Sequence, residues 1–141
     1  MTKIWPQLPT LEQIAARNAG SMVEHLGIEF TAIDDHSISA RMPVDGRTKQ
    51  PAGILHGGAN VVLAETLGSV AGNLAVPSNK MVVGVEINAN HLRAVKEGFV
   101  TGVCTALHVG GRTQVWEIKI YDQQQRLTCV SRLTCAVIDR I

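Results

Sequence analysis

The sequence predicts an α+β fold, one long helix packed on one face of an antiparallel sheet. Three observations carry this. Residues 57–75 place Leu63, Leu67, Val70 and Leu74 at helical spacing, with Glu65 as the only charged side chain in the stretch. Six segments alternate apolar and polar residues, or run apolar for a few positions, as strands do. The last three of these follow one another with short connections, so an antiparallel meander is their natural arrangement.

Taken in order, Thr10-Leu-Glu-Gln13 has the form of a capping box. Leu11, Ile14 and Ala15 follow at helical spacing, which predicts a short helix over 10–18, closed by Asn18-Ala-Gly20. Met22–Leu26 reads as one further turn, stopped by Gly27. Ile28–Ile33 alternates as a half-buried strand, Asp34-Asp35 supplies a turn, and Ser37–Val44 completes a hairpin. Asp45–Gly53 is a loop punctuated by Pro51 and Gly53. The long helix then runs over Gly57–Ala75, with Leu63, Leu67, Val70 and Leu74 as its core stripe. Glycine inside a helix costs about 1 kcal/mol against alanine, so Gly68 and Gly72 point to close backbone approach. A curved sheet wrapped round the helix would require that; a tight helix–helix seam is the alternative. After the Val76–Asn79 turn, Lys80–Leu92, Gly98–Val109, Arg112–Asp122 and Leu127–Ile138 read as strands. In the third of these Trp116, Ile118 and Ile120 share one face, and Glu117 and Lys119 the other.

With 141 residues there is room for one domain, taken as 1–141, and a real core. Hydrophobic content of 45% and a charged fraction of 18% fit a soluble globular chain. A net charge of +1 gives no strong field, so neither nucleic acid nor an anionic membrane surface is the expected partner. No apolar run is long enough to span a bilayer, and the N-terminus has no signal-peptide pattern. Cys104, Cys129 and Cys135 lie in strand-like patterns without CxxC spacing, and read as reduced core residues of a cytoplasmic protein.

Glu65 is the first candidate for chemistry. A lone carboxylate on an otherwise apolar helix is costly to bury unless something uses or satisfies it. Ser69 stands four residues on and shares its helix face. His56-Gly57-Gly58 lies where the helix begins. Free N–H groups there suit a developing negative charge, and glycine admits a carbonyl close to the backbone. The alternative is a Gly-rich helix entry with His56 as a cap. Spacing adds a constraint: Gly57 and Glu65 are about 12 Å apart along a helix at about 1.5 Å per residue. That is too far for both to act on one carbonyl from within one chain. If they share a reacting carbon, they come from different chains across a two-fold axis. His91 and Arg93, with His108 and Arg112 about Gly110-Gly111, stand at loop ends where a long phosphate-bearing ligand would leave a pocket; solvated strand ends are the competing reading. The histidines show no ligand spacing, so no metal is expected. No GxSxG, P-loop or GxGxxG pattern occurs.

The segment Gln50-Pro-x-Gly-x-Leu-His56-Gly-Gly-x-x-x-x-Leu-Ala-Glu65-x-x-Gly-Ser69 closely resembles the hotdog-fold acyl-CoA thioesterases, in the branch that uses a helix glutamate. Matching stretches run along nearly the whole chain: His25-Leu-Gly-Ile28, Met42-Pro-Val-Asp45, Val83–Arg93, Gln114-Val-Trp116 and Cys129–Thr134. Within the family they are most similar to the thioesterases of menaquinone and enterobactin biosynthesis. The resemblance implies a curved antiparallel sheet around one long central helix, and a homodimer with shared active sites, assembled as a dimer of dimers. It implies Glu65 as nucleophile or general base, Gln50 and the Gly57 amide polarising the thioester carbonyl, and His56 and Ser69 positioning thioester and water. Gly84, His91, Leu92 and Arg93, with the loop His108, Val109, Gly110, Gly111, Arg112 and Thr113, match where the family binds CoA.

The reaction so implied is hydrolysis of an acyl-CoA to acid and CoA, the acyl group being aromatic, such as a dihydroxynaphthoyl or hydroxybenzoyl group. No separate cofactor is expected, since CoA is part of the substrate. Three alternatives stay open. One is proofreading of an aryl carrier protein, which presents the same phosphopantetheine arm. Another is a hydro-lyase of the same fold, with His56 as acid/base. The last is a non-catalytic acyl-CoA-binding module.

Overall fold

In the computed structural model, which describes residues 3–141, the expected elements form with their ends shifted by a residue or so. The capping box closes at both contacts: Thr10 Oγ1 accepts from the Gln13 N–H, and the Gln13 side chain accepts from the Thr10 N–H. It opens α1 (Leu11–Arg17), followed by the single turn α2 (Met22–His25). The hairpin is β1 (Glu29–Ile33) and β2 (Ile38–Pro43), and the long helix is α3 (Gly57–Leu74). Four strands follow: β3 (Lys80–His91), β4 (Phe99–Val109), β5 (Thr113–Tyr121) and β6 (Leu127–Asp139).

All pairings are antiparallel, in the order β1-β2-β4-β5-β6-β3. The expected meander is β4-β5-β6. β3 does not join its successor in sequence but crosses to the far side of β6, where it forms one edge of the sheet. Register breaks at Phe30/Ala32, Gly84/Glu86, Ala106/His108 and Ile120/Tyr121 each bend the strand that carries them. The sheet thereby curves over α3, which touches β2, β3, β4, β5 and β6.

The core lies between helix and sheet. Leu63, Ala64, Leu67 and Ala71 of α3 are fully buried against Ile38, Met42, Val100, Trp116, Ile118 and Leu133. The two helix glycines are there for clearance. A Cβ on Gly68 would come within 2.5 Å of Leu133 Cδ2, and one on Gly72 within 2.5 Å of Gln114 Oε1. Gln114 itself is buried and satisfied: Nε2 donates to Gly72 O at 3.3 Å, and Oε1 accepts from Trp116 Nε1 at 3.0 Å. The wrapped-sheet account of the small residues is the one realised. Trp5 stacks on Trp116 with centroids 6.3 Å apart and donates to Asp34 O, pinning the N-terminal segment over the sheet.

One expectation needs correction. Only Leu63 and Leu67 of the proposed stripe are core; Val70 and Leu74 are half-buried and face a cleft. The sheet covers one side of α3, and the residues one step round the helix look away from it.

Cys104, Cys129 and Cys135 are free and buried on their strands. Burial pushes the Cys129 thiol up to about 11; Cys135 is pushed to about 11 by burial and then by the charge of Glu65. Burial, and then Cys135, drive the Cys104 thiol still higher.

Candidate active site

The predicted residues fall into two groups. The first lies on the open side of α3. Glu65 and Ser69 face a cleft of about 1510 Å³ between the helix and the N-terminal segment, with Val62, Val70, Leu74 and Met81 as apolar lining. Leu8 and Met22, 50% and 61% exposed, stand on its other wall. Glu65 is half-buried and takes part in none of the ion pairs among the described residues. Its Oε2 lies against Gly84 of β3, where any side chain would collide with it. Gly84 thus leaves room for the carboxylate, besides the CoA role that resemblance gives it. Asn73 was not anticipated. Its Nδ2 donates to Ser69 O at 2.9 Å and its Oδ1 accepts from the Val82 N–H at 3.1 Å, tying this face of α3 to β3. The signal was available: Asn73 is four residues beyond Ser69, on the same face.

The second group gathers at the start of α3. His56 is the N-cap, and its Nδ1 accepts from the Gly58 N–H at 2.8 Å. The Ala59 and Asn60 N–H groups both turn back to His56 O. Among the described residues the Gly57 N–H alone in this first turn has no acceptor. His56 is therefore a cap through Nδ1, with Nε2 outside the cap, and the Gly57 N–H is left without an acceptor. Gln50 sits in the preceding loop, which a positive φ of 84° at Gly53 turns back on itself. The Gln50 side-chain oxygen accepts from the Ala52 N–H, leaving Nε2 to donate elsewhere. The loop is held by bonds from the Leu55 N–H to Val95 O and from the His56 N–H to Thr48 O, both 2.8 Å.

His91, at the end of β3, belongs with this second group. Its Nε2 lies 2.8 Å from where a Cβ of Gly57 would stand, and its Nδ1 is 3.2 Å from Asn60 Nδ2. Leu92 and Arg93 follow, exposed, with their N–H groups on Thr128 O.

His108, Val109, Gly110, Gly111, Arg112 and Thr113 form the β4–β5 turn, closed by the Gly110 N–H to Thr113 O at 2.9 Å. This turn is not near His91. Thr113 pairs with Ala136 and His91 with Cys129, so the two stretches are seven positions apart along β6, about 23 Å at about 3.3 Å per residue. The turn lies instead at the level of Gly84, which pairs with Cys135 as Gln114 does. One group is thus Glu65, Ser69 and Gly84, with the β4–β5 turn at the same level of the sheet across β6 and outside the cleft. The other is Gln50, His56, Gly57 and His91–Arg93. Neither Gln50, His56 nor Gly57 lines the cleft that holds Glu65. Within one chain the residues do not meet. Among the described residues, no three His, Cys, Asp or Glu side chains cluster as a metal would need, and no helix is long and apolar enough to cross a membrane.

The comparisons with known proteins bear on the family and the fold. A family model of the thioesterase superfamily matches residues 52–129, the stretch from the Gln50 loop to the start of β6. The 1,4-dihydroxy-2-naphthoyl-CoA hydrolase of Escherichia coli is 56% identical over 135 residues, covering 96% of this chain and 99% of that protein. A proofreading thioesterase EntH, from Cronobacter turicensis, is 55% identical, covering 96% and 98%. The crystal structure of a thioesterase from Haemophilus influenzae superposes with a TM-score of 0.94 at 50% identity, covering 96% of this chain and 95% of that one. The chain belongs to the thioesterase superfamily, has its hotdog fold, and is a thioester hydrolase.

Proposed function

We propose that the protein hydrolyses an aromatic acyl-CoA to the free acid and CoA, at two equivalent sites each built from two copies of the chain. The observation that carries the shared site is the separation of the half-sites. Glu65 faces a cleft that the polarising group, Gln50 and the Gly57 amide, does not reach. A second copy related by a two-fold axis brings the missing half to each. The edge strand β3 supports this arrangement: it is 12 residues long, its outer side is unpaired, and Val83 and Val85 are 37% and 65% exposed. Such an edge is a template for a second strand.

In each site the thioester carbonyl accepts from the Gly57 N–H and from Gln50 Nε2, which makes its carbon electrophilic. Glu65 of the other copy then either attacks that carbon or takes a proton from a water that does. If Glu65 attacks, the carbon–sulfur bond breaks to give an anhydride on Glu65, which water then hydrolyses to the free acid. If it activates water, the acid forms directly. In both, the proton lost by water ends on the departing sulfur, and CoA leaves as the thiol. Ser69 and the His56 Nε2–H position water and thioester. Arg93 and Arg112, in no ion pair among the described residues, suit the CoA phosphates. The Escherichia coli relative's name points to 1,4-dihydroxy-2-naphthoyl-CoA, which would place the reaction in menaquinone biosynthesis. The EntH relative points to a carrier-protein thioester, which shares the arm. Three free, buried thiols fit a cytoplasmic chain, and the family resemblance implies that two dimers join as a tetramer.

Thiol release from a panel of aroyl- and alkanoyl-CoAs and one aryl carrier-protein thioester ranks the substrates. Glu65→Ala is expected to lower kcat by about 10²–10⁴-fold with the fold retained; near wild-type turnover in that variant overturns the reading. The shared site has its own test. Glu65→Ala and Gln50→Ala variants, each inactive, are unfolded together and refolded as a mixture. Half the dimers are then mixed, each with one intact site, so about a quarter of wild-type activity returns. A site contained in one chain returns none.

A further inference from the structure

The sharpest unexplained feature near the second half-site is Asn60. It is 5% exposed in the first turn of α3, and its Oδ1 is buried without a hydrogen-bond partner. An unmade bond at a buried acceptor destabilises a fold, and an apolar residue at this position would avoid it. The same side chain makes one contact, from Nδ2 to His91 Nδ1 at 3.2 Å.

Nδ2 can only donate, so in this pairing Nδ1 of His91 accepts and the ring proton sits on Nε2. Turning the amide round would set Oδ1 against Nδ1 and move the proton there. The observed arrangement leaves Oδ1 and one N–H of Nδ2 unmade and the turned one leaves both N–H bonds, so the tautomer of the ring itself distinguishes them. Nε2 lies 2.8 Å from the site of a Gly57 Cβ, hence within about 5 Å of the Gly57 nitrogen by covalent geometry. Two donors at that separation can share one acceptor about 2.9 Å from each. The Gly57 N–H is also the one amide of the turn left open.

We propose that Asn60 is a positioning residue: it fixes His91 as the Nε2–H tautomer beside the Gly57 amide, so that the two N–H groups converge on the thioester carbonyl. This rests on the thioesterase reading and adds a third donor to Gln50 and Gly57. It also accounts for Gly57 in a second way, since any side chain there would strike the His91 ring.

The test is the tautomer of His91 in the full-length protein, read from imidazole ¹⁵N shifts without substrate. The Nε2–H form is expected in the wild type. Asn60→Ala is expected to release the ring into a tautomer mixture, and Asn60→Asp to draw the proton to Nδ1. Both variants should lose about tenfold or more in kcat for the best acyl-CoA with a smaller change in KM, while their circular dichroism stays that of the wild type. Should Asn60→Ala not fold, Asn60→Asp keeps the side-chain shape and carries the test alone. A wild-type His91 protonated on Nδ1, or an Asn60→Ala variant that keeps both tautomer and kcat, overturns the proposal and leaves the thioesterase reading standing. Absence of thiol release from any thioester by the wild type would sink that reading, and the ¹⁵N shifts would still decide the Asn60–His91 contact.

Discussion

Replacing Gly84 with alanine separates two roles for one residue. A methyl group there lands well inside contact with Glu65 Oε2, while Leu133 Cδ1 stands 3.5 Å away and blocks a compensating shift on that side. The carboxylate is the far end of a flexible side chain, so it yields, retreating by about 1 Å to reach ordinary contact distance. The fold loses little. A misplacement of that size at a reacting group costs about 10²-fold in rate, equivalent to about 2.7 kcal/mol of barrier. The assay is thiol release from an aroyl-CoA, with kcat and KM measured separately and a thermal melt alongside. The expected result is a kcat about 100-fold down, KM within about threefold and a melting temperature almost unchanged. If Gly84 serves only as a contact for CoA, KM rises and kcat holds. That outcome, or wild-type kcat, refutes the placement of Glu65 against β3.

Other outcomes follow from the same geometry. Gly72→Ala sets two rules against each other: helix propensity alone predicts a gain of about 1 kcal/mol. The new Cβ strikes Gln114 Oε1 and breaks a buried pair of bonds, so a net loss of about 2–4 kcal/mol is expected by urea titration of tryptophan fluorescence. Stability should also fall with alkali. The Cys129 and Cys135 thiols, held at about 11 when folded against an ordinary 9.0, keep protons that the unfolded chain sheds. Their contribution is complete below pH 9.0 and is lost as pH rises towards about 11, which denaturation midpoints across that range would read. For the same reason a thiol reagent at neutral pH should label none of the three cysteines until denaturant is added. Asn73→Ala, which leaves the Val82 N–H unpaired, is expected to cost about 1–3 kcal/mol and to slow turnover by loosening α3 over β3.

What was legible in the sequence was whatever repeats locally. The period of α3, the alternation in β5 and the box at Thr10 fixed each element to within a residue or so, because propensity, pattern and turn chemistry agreed there. Glu65 stood out as a charge without company. Long-range choices were hidden. Nothing in Lys80–His91 says that β3 will pass by β4 and pair with β6, since its alternation suits either neighbour. Val70 and Leu74 fit the apolar stripe in number, but which edge of the stripe is covered depends on how far the sheet curves. The Asn60–His91 contact spans 31 positions and follows no local period. Trp5 sits among prolines without any pattern, yet its ring ends in the core.

The two borders of the sheet are unlike. β3 offers a dozen residues and exposed valines, whereas β1 has five residues, a register break at Phe30/Ala32 and a Glu29–Arg41 ion pair at 3.5 Å between directly paired residues of β1 and β2. A chain with two adhesive borders would add copies without limit, as fibres do. This one has a single adhesive border. A copy joined through β3 leaves only blunt β1 borders facing outward, so growth by strand addition terminates at two. In the proposed dimer, the border that seats a second chain is also the one whose use ends strand addition, and any larger assembly has to form through other faces.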